Sequence, residues 1–240
     1  MATYDVKLLR HETVAEGTMA FHFEKPADFQ FKAGQSIDLT LIDPPETDAE
    51  GDTRAFSLTC APYESELRIA TRLRDSAFKR VLRNLPPGSP LRIAGPFGSF
   101  TLHKNASRPG VFLAGGIGIT PFFAIAKDAA HLGLPHRLFL FYSNKRPEDA
   151  PFLDELRRLE QANPHFRLIG TMTEMENSRQ PWDGERGYIG AEIVTRAVGE
   201  LHGPIYYVAG PPAMVAAMRK MLEEAGADED DIRTEEFAGY

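Results

Sequence analysis

The chain has 240 residues but a single cysteine, Cys60, and a single tryptophan. One thiol forms no internal disulfide and ligates no iron–sulfur cluster, which takes about four thiolates. A reducing, cytoplasmic setting is therefore expected, with Cys60 as a buried apolar thiol. Positive charge is also in short supply: 27 Lys and Arg stand against 34 Asp and Glu, a net charge of −7. That field repels phosphate polyanions and anionic headgroups, which excludes nucleic acid as the expected partner. The first residues have neither a basic start nor an apolar signal core. The seven histidines include no HxxxH pair, so no metal is expected. Long apolar runs are nearly absent. The exception, Pro109–Ala126, is eighteen uncharged residues with Gly115, Gly116, Gly118 and Pro121 near its middle. A lipid-facing helix would lose backbone hydrogen bonds there, so the run reads as a strand, loop and helix and not as a membrane span.

What the chain does have is two successive patterns. Ser36–Ile42, Ala55–Thr59 and Leu67–Leu73 alternate or are β-branched, and turns such as Asp43-Pro-Pro-Glu and Leu85-Pro-Pro-Gly separate them. Short antiparallel strands without intervening helices predict a barrel or sandwich. The acidic stretch Glu46–Thr53 lacks large apolar residues and reads as an exposed loop. Beyond the polar seam His103–Pro109, apolar strands at Val111–Ala114, Arg137–Tyr142, Arg167–Thr171 and Ile205–Ala209 alternate with helices. The helices are expected near Pro121–Leu132, Pro151–Asn163, Ala191–Glu200 and Pro212–Ala225. That alternation is the pattern of a parallel α/β sheet. Two domains follow, 1–103 and 104–240. The stripes Met214, Met218, Met221, Leu222, Ala225 and Phe152, Leu156, Leu159 read as core.

Gly110–Pro121 carries the most chemistry. A buried strand runs into Gly115, Gly116 and Gly118 and then into a helix expected to start with Thr120 as N-cap and Pro121 in its first position. Such a junction can bind an anion, because glycines let a phosphate approach free N–H groups at a positive helix end. Proline stands where the usual dinucleotide fingerprint has its third glycine, so the ordinary Rossmann match fails, and a tight turn without ligand is the competing reading.

The segments Arg54-Ala-Phe-Ser57, Gly95-Pro-Phe-Gly-Ser-Phe100, Gly115-Gly-Ile-Gly-Ile-Thr-Pro121, Ala209-Gly-Pro-Pro-Ala-Met214 and Glu235-Glu-Phe237 follow one another in a characteristic order and spacing. In that arrangement the chain resembles the ferredoxin–NADP reductase superfamily over about residues 30 to 237. The resemblance implies a two-domain fold, an antiparallel β-barrel that binds a flavin followed by an α/β parallel-sheet domain that binds a nicotinamide nucleotide. It implies FAD and NADH or NADPH as cofactors. It also implies hydride transfer to the flavin and delivery of electrons to a separate acceptor, such as a ferredoxin-like or flavodoxin-like carrier or an oxygenase component. The alternatives are an electron-transfer subunit of a larger complex and a stand-alone reductase of ferric chelates or flavins.

Residue by residue, the resemblance places Arg54 on a flavin phosphate, Phe56 on the ring face where relatives have tyrosine, and Ser57 at the flavin atom that receives hydride. Lys79 stands where a small hydroxyl residue is usual beneath the pyrophosphate. Gly115, Gly116, Gly118, Thr120 and Pro121, with Gly210 and Pro211, fall on the nicotinamide nucleotide, and Glu235 and Phe237 beside the reacting rings. Ala209 replaces the usual cysteine. Thr173-Glu174 stands where NADP-selective relatives have Ser-Arg, and a carboxylate there suits a ribose hydroxyl and repels a 2′-phosphate. Lys145 and Arg146 argue the opposite way, and the lean is to NADH. Tyr240 is either an aromatic lid over the flavin or a frayed end. Finally, residues 68–83 hold six basic residues and one acidic one, either a solvated face or a docking face in which Arg80 and Arg83 attract an acidic partner.

Overall fold

The computed structural model describes residues 2–237. Six strands form the first domain: β1 (Thr3–Ala15), β2 (Thr18–Glu24), β3 (Ser36–Leu41), β4 (Thr53–Ser57), β5 (Glu66–Arg72) and β6 (Pro90–Phe97). They pair antiparallel in the order β4-β3-β6-β1-β2-β5. A bridge between Leu58 and Ile69 brings the two ends of the sheet together and closes it into a barrel. Alternation fills the interior. Val6, Leu8, Phe21, Phe23, Ile37, Leu39, Ile69 and Ile93 are all buried within one apolar cluster.

One helix interrupts this domain, contrary to the strands-only expectation. It is α1 (Ala77–Asn84), with Ser76 as N-cap accepting from the Lys79 N–H. Ala77, Phe78, Val81 and Leu82 lie on one face at helical spacing and are buried. The three basic residues among its eight, Lys79, Arg80 and Arg83, obscure that stripe in the sequence.

The second domain has strands β7 (Gly110–Gly115), β8 (Leu138–Asn144), β9 (Phe166–Met172), β10 (Glu185–Arg186), β11 (Ile205–Gly210) and β12 (Ile232–Glu236). All pair parallel, in the order β10-β9-β8-β7-β11-β12. Helices α2 (Ile119–His131) and α3 (Leu153–Ala162) cover one face. Helices α4 (Ala191–Val198) and α5 (Pro212–Glu224) cover the other. Every residue of β7 and β11 is buried, as covering a parallel sheet on both faces requires. The expected stripes are core: Met218 and Leu222 are buried with Met214, Met221 and Ala225 packed beside them, and Leu156 is buried with Leu159 against it. Phe152 precedes its helix, at φ 63°, stacked on Phe123.

The domains pack closely. Ala20 of β2 and Ala70 of β5 turn small side chains outward from the barrel into the core cluster that holds α2. The Arg68 guanidinium lies over the rings of Phe123 and Phe152, 5.2 and 5.1 Å from their centroids. Among the described residues no helix is long and apolar enough to cross a membrane.

Candidate active site

The sheet order reverses between β7 and β11: from β7 the chain adds β8 and β9 on one side and then returns to β11 and β12 on the other. Ligands of parallel α/β sheets bind at such a point, beyond the carboxyl ends of the strands. Here the barrel faces that edge, and a cleft of about 610 Å³ lies between the two domains. The barrel supplies Arg54, Phe56, Ser57 and Lys79, and the α/β domain supplies Thr120, Glu235 and Phe237. Seven residues picked from the sequence thus share one wall-to-wall space.

Strand β4 explains the barrel side. Arg54 and Phe56 are two apart and share a face of the strand, and both meet Phe78 of α1: the Phe56 ring centroid at 5.9 Å and the Arg54 guanidinium carbon at 5.2 Å. Ser57 closes the strand, 4% exposed, and its hydroxyl has no hydrogen-bond partner. Lys79 stands in the first turn of α1. Burial, together with repulsion from Arg74 and Arg54, pushes its ammonium below the usual lysine range. An orphaned buried hydroxyl and crowded cations are what a polar, anionic ligand would satisfy.

On the α/β side, β12 pairs Glu235 with Ala209, and Phe237 just past the strand donates its N–H to the Gly210 carbonyl. One carboxylate oxygen of Glu235 is buried without a partner. Burial pushes this carboxyl up to about 7, so at neutral pH it exists in both protonation states.

The glycine loop differs from expectation in its details. Residues Gly116–Gly118 form one 3-10 turn that runs directly into α2, so the helix begins at Ile119 with Gly118 in the cap position. Thr120 is therefore the second helical residue, and its hydroxyl donates to the Ile117 carbonyl at 3.0 Å instead of capping. Pro121 is third, still within the first turn, where its missing N–H costs nothing. Glycine serves packing here. A Cβ on Gly118 would lie 2.2 Å from the Ala209 carbonyl oxygen, and one on Gly115 would lie 2.2 Å from Met214 Sδ. Gly210, at φ 154°, lies against Gly115. These residues, with Pro121 and Pro211, form the floor where β7 and β11 end and do not line the cleft itself. Gly116, at φ 54°, faces the guanidinium of Arg72, a barrel residue outside the set expected from the motifs.

Thr173 and Glu174 lie away from the cleft, at the carboxyl ends of β8 and β9. The Thr173 N–H donates to the Asn144 carbonyl, and Lys145 Nζ pairs with Glu174 Oε1 at 3.0 Å. The two charges read as opposing signals for the nucleotide thus form a single ion pair. Arg146 is bound to Asp149 and Glu16. Asn144, which no sequence motif marks, is buried at this edge with both amide atoms unpartnered. The basic stretch also changes meaning. Arg68 is buried, Arg72 joins the domains through the Asp149 carbonyl, and Arg80 pairs with both Glu46 and Asp75. Of the two expected docking residues, Arg80 is already neutralised. Tyr240 lies outside the described residues. Among those residues no group of three or more His, Cys, Asp or Glu is arranged to hold a metal ion.

The comparisons agree with this architecture. Residues 112–220 match the oxidoreductase NAD-binding domain family. Ferredoxin–NADP reductase B of Sorangium cellulosum is 30% identical over 219 residues, covering 87% of this chain and 86% of that protein. The chain belongs to the ferredoxin–NADP reductase superfamily. The glycine betaine monooxygenase reductase subunit of Chromohalobacter salexigens is 28% identical over 97% of this chain, which spans 62% of that subunit. The chain likewise spans 57% of the reductase component of Rhodococcus jostii propane 2-monooxygenase. In fold, this superfamily member matches a Neisseria gonorrhoeae ferredoxin–NADP+ reductase crystallised with FAD and NADP, at a TM-score of 0.81 and 21% identity over 98% of each chain.

Proposed function

We propose that this chain is an NAD(P)H-dependent flavoprotein reductase that binds FAD in the barrel cleft and passes electrons to a separate acceptor protein. The observation that carries the reading is the cleft itself. Two buried, unpartnered oxygens, Ser57 Oγ and a Glu235 carboxylate oxygen, face it from different domains. Such groups are costly to bury unless a ligand completes them. The monooxygenase and dioxygenase reductases among its relatives support delivery to an oxygenase or carrier.

In this reading the flavin-binding unit is 1–103 and the nucleotide-binding unit 104–240. Arg54 and Lys79 hold phosphate, Phe56 supplies a ring face, and the Ser57 hydroxyl donates to the flavin ring. Bound FAD supplies a two-electron acceptor for hydride that can release electrons singly. The chain's contribution is positioning. The Gly115–Gly118 turn and Gly210-Pro211 bring β7 and β11 together at the floor, so that a nicotinamide entering from the sheet edge meets the barrel wall. Glu235, when protonated, donates a hydrogen bond to a carboxamide oxygen, and Phe237 excludes water. The Glu174 carboxylate favours a ribose hydroxyl, so NADH is the preferred donor. A single buried thiol fits a cytoplasmic setting.

The experiment is anaerobic titration of the FAD-loaded protein with NADH. Bleaching of the flavin absorbance at one equivalent is expected. A protein that takes up no flavin, or whose flavin neither NADH nor NADPH reduces, refutes the reading.

A further inference from the structure

The acidic loop between β3 and β4 is exposed, as its composition predicts, but it is also pinned. Asp43 at φ 45° and Gly51 at φ 77° bound it, with Pro44 and Pro45 stiffening one end. Between them Glu46 pairs with Arg80 of α1 at 2.9 Å. Asp48 goes further. Its Oδ1 accepts from Arg54 Nη2 and from the Glu50 N–H, each at 3.0 Å, and its Oδ2 accepts from the Ala77 N–H, also at 3.0 Å. Arg54 Nη1 donates in turn to the carbonyls of Glu50, Gly51 and Thr53. One carboxylate therefore joins the guanidinium of β4 to the first N–H of α1, beside the cationic end of the cleft, where Glu50 of the same loop lines the wall.

A guanidinium beside a helix N-terminal N–H is the donor set that suits a phosphate oxygen. Both donors are engaged by Asp48, and Arg54 Nη2 is shared with Glu50 Oε2, also at 3.0 Å, so the loop holds the guanidinium with two carboxylates. Burial opposes ionisation of Asp48, but the Glu50 and Ala77 N–H groups and Arg54 outweigh that, and the carboxyl sits below the usual aspartate range. The seat is thus filled by a charge of the right sign from the chain itself.

We propose that Asp48 is an internal stand-in for a flavin phosphate, and that residues 43–52 form a strap that closes the diphosphate end of the cleft until FAD displaces it. The inference rests on the flavin reading above. Its consequence is that flavin exchanges: apparent affinity is the intrinsic affinity reduced by the fraction of chains with the strap open. A diphosphate carries more charge than one carboxylate and reaches toward Lys79 as well, so FAD wins when present.

The test uses the full chain, stripped of flavin, with FAD binding read by quenching of flavin fluorescence. A strap closed in nine chains of ten predicts that Asp48→Asn lowers the FAD Kd by about tenfold. It also predicts that inorganic pyrophosphate raises the Tm of Asp48→Asn more than that of the parent. Glu46→Gln loosens the strap without touching Arg54 and should shift the Kd in the same direction, which keeps the test intact if Asp48→Asn folds poorly. An unchanged or weaker FAD affinity in both variants overturns the strap, since Asp48 would then only be holding Arg54 in place. Absence of FAD binding in parent and variants alike would overturn the flavin reading, and the strap with it.

Discussion

The Ser57 hydroxyl and the Glu235 carboxyl face one cleft from two separately folded sheets, each with a buried oxygen that no protein group satisfies. Under the proposed function they mark where barrel and α/β domain would act on one ligand pair. Ser57→Ala should leave FAD affinity within threefold while slowing flavin reduction by NADH about tenfold, the factor carried by one hydrogen bond of about 1.4 kcal/mol. Stopped-flow reduction under anaerobic conditions reads both numbers. An equal loss in binding and in rate would move Ser57 to the flavin's anchoring groups.

Glu235 gives a pH dependence with a defined sign. Its carboxyl, ordinarily near 4.5, is raised to about 7 by burial in the folded chain. A raised value means that its contribution to stability is present below 4.5 and is lost as pH rises through 7. The parent should therefore lose Tm relative to Glu235→Gln between pH 5 and pH 8, by about the same cause that lowers its hydride transfer over that interval. Parallel Tm curves for the two proteins would show that the carboxyl titrates normally.

Gly118 tests the floor. Its Cβ would meet backbone, the Ala209 carbonyl oxygen at 2.2 Å, and backbone cannot step aside as a side chain can. Gly118→Ala should cost about 1 to 3 kcal/mol of stability, the range for overpacking. It should raise KM for NADH while the barrel still retains FAD. Gly115→Ala meets the flexible Met214 side chain instead and should be milder.

For the nucleotide, Lys145 and Glu174 have to be read together, because they are paired. The parent should show higher kcat/KM with NADH than with NADPH. Glu174→Ser frees Lys145 and should improve NADPH use by about two- to fivefold, the scale of an exposed charge interaction of up to about 1 kcal/mol. A parent that prefers NADPH tenfold refutes the NADH assignment.

Why some of this was legible in the sequence and some was not follows from range. The α/β half was readable because β7, β8 and β11 are continuous apolar runs and α2, α3 and α5 carry stripes: local periodicity encodes them. In the barrel, β1, β2 and β6 passed unnoticed. β1 is mostly exposed, β2 is buried on both faces, and neither alternates cleanly. The helix begins two residues before the start that the cap-like Thr120-Pro121 pair implies, because the preceding 3-10 turn already sets the helix in motion. Arg54, Ser57 and Glu235 were accessible through motif order. Arg72, Asn144 and Asp48 were not, since what matters about each is a partner, or the lack of one, set by tertiary contact.

The Arg68 guanidinium seated over Phe123 and Phe152 has an evolutionary corollary. Barrel and sheet look like interchangeable cassettes, yet a shuffled chimera that took its barrel from another lineage would bring some other side chain to this joint. Two stacked phenyl rings would then be left wet, and a foreign barrel would bury a mismatched surface against them. Recombination between relatives should therefore succeed only when residue 68 and the pair 123 and 152 are inherited from the same parent.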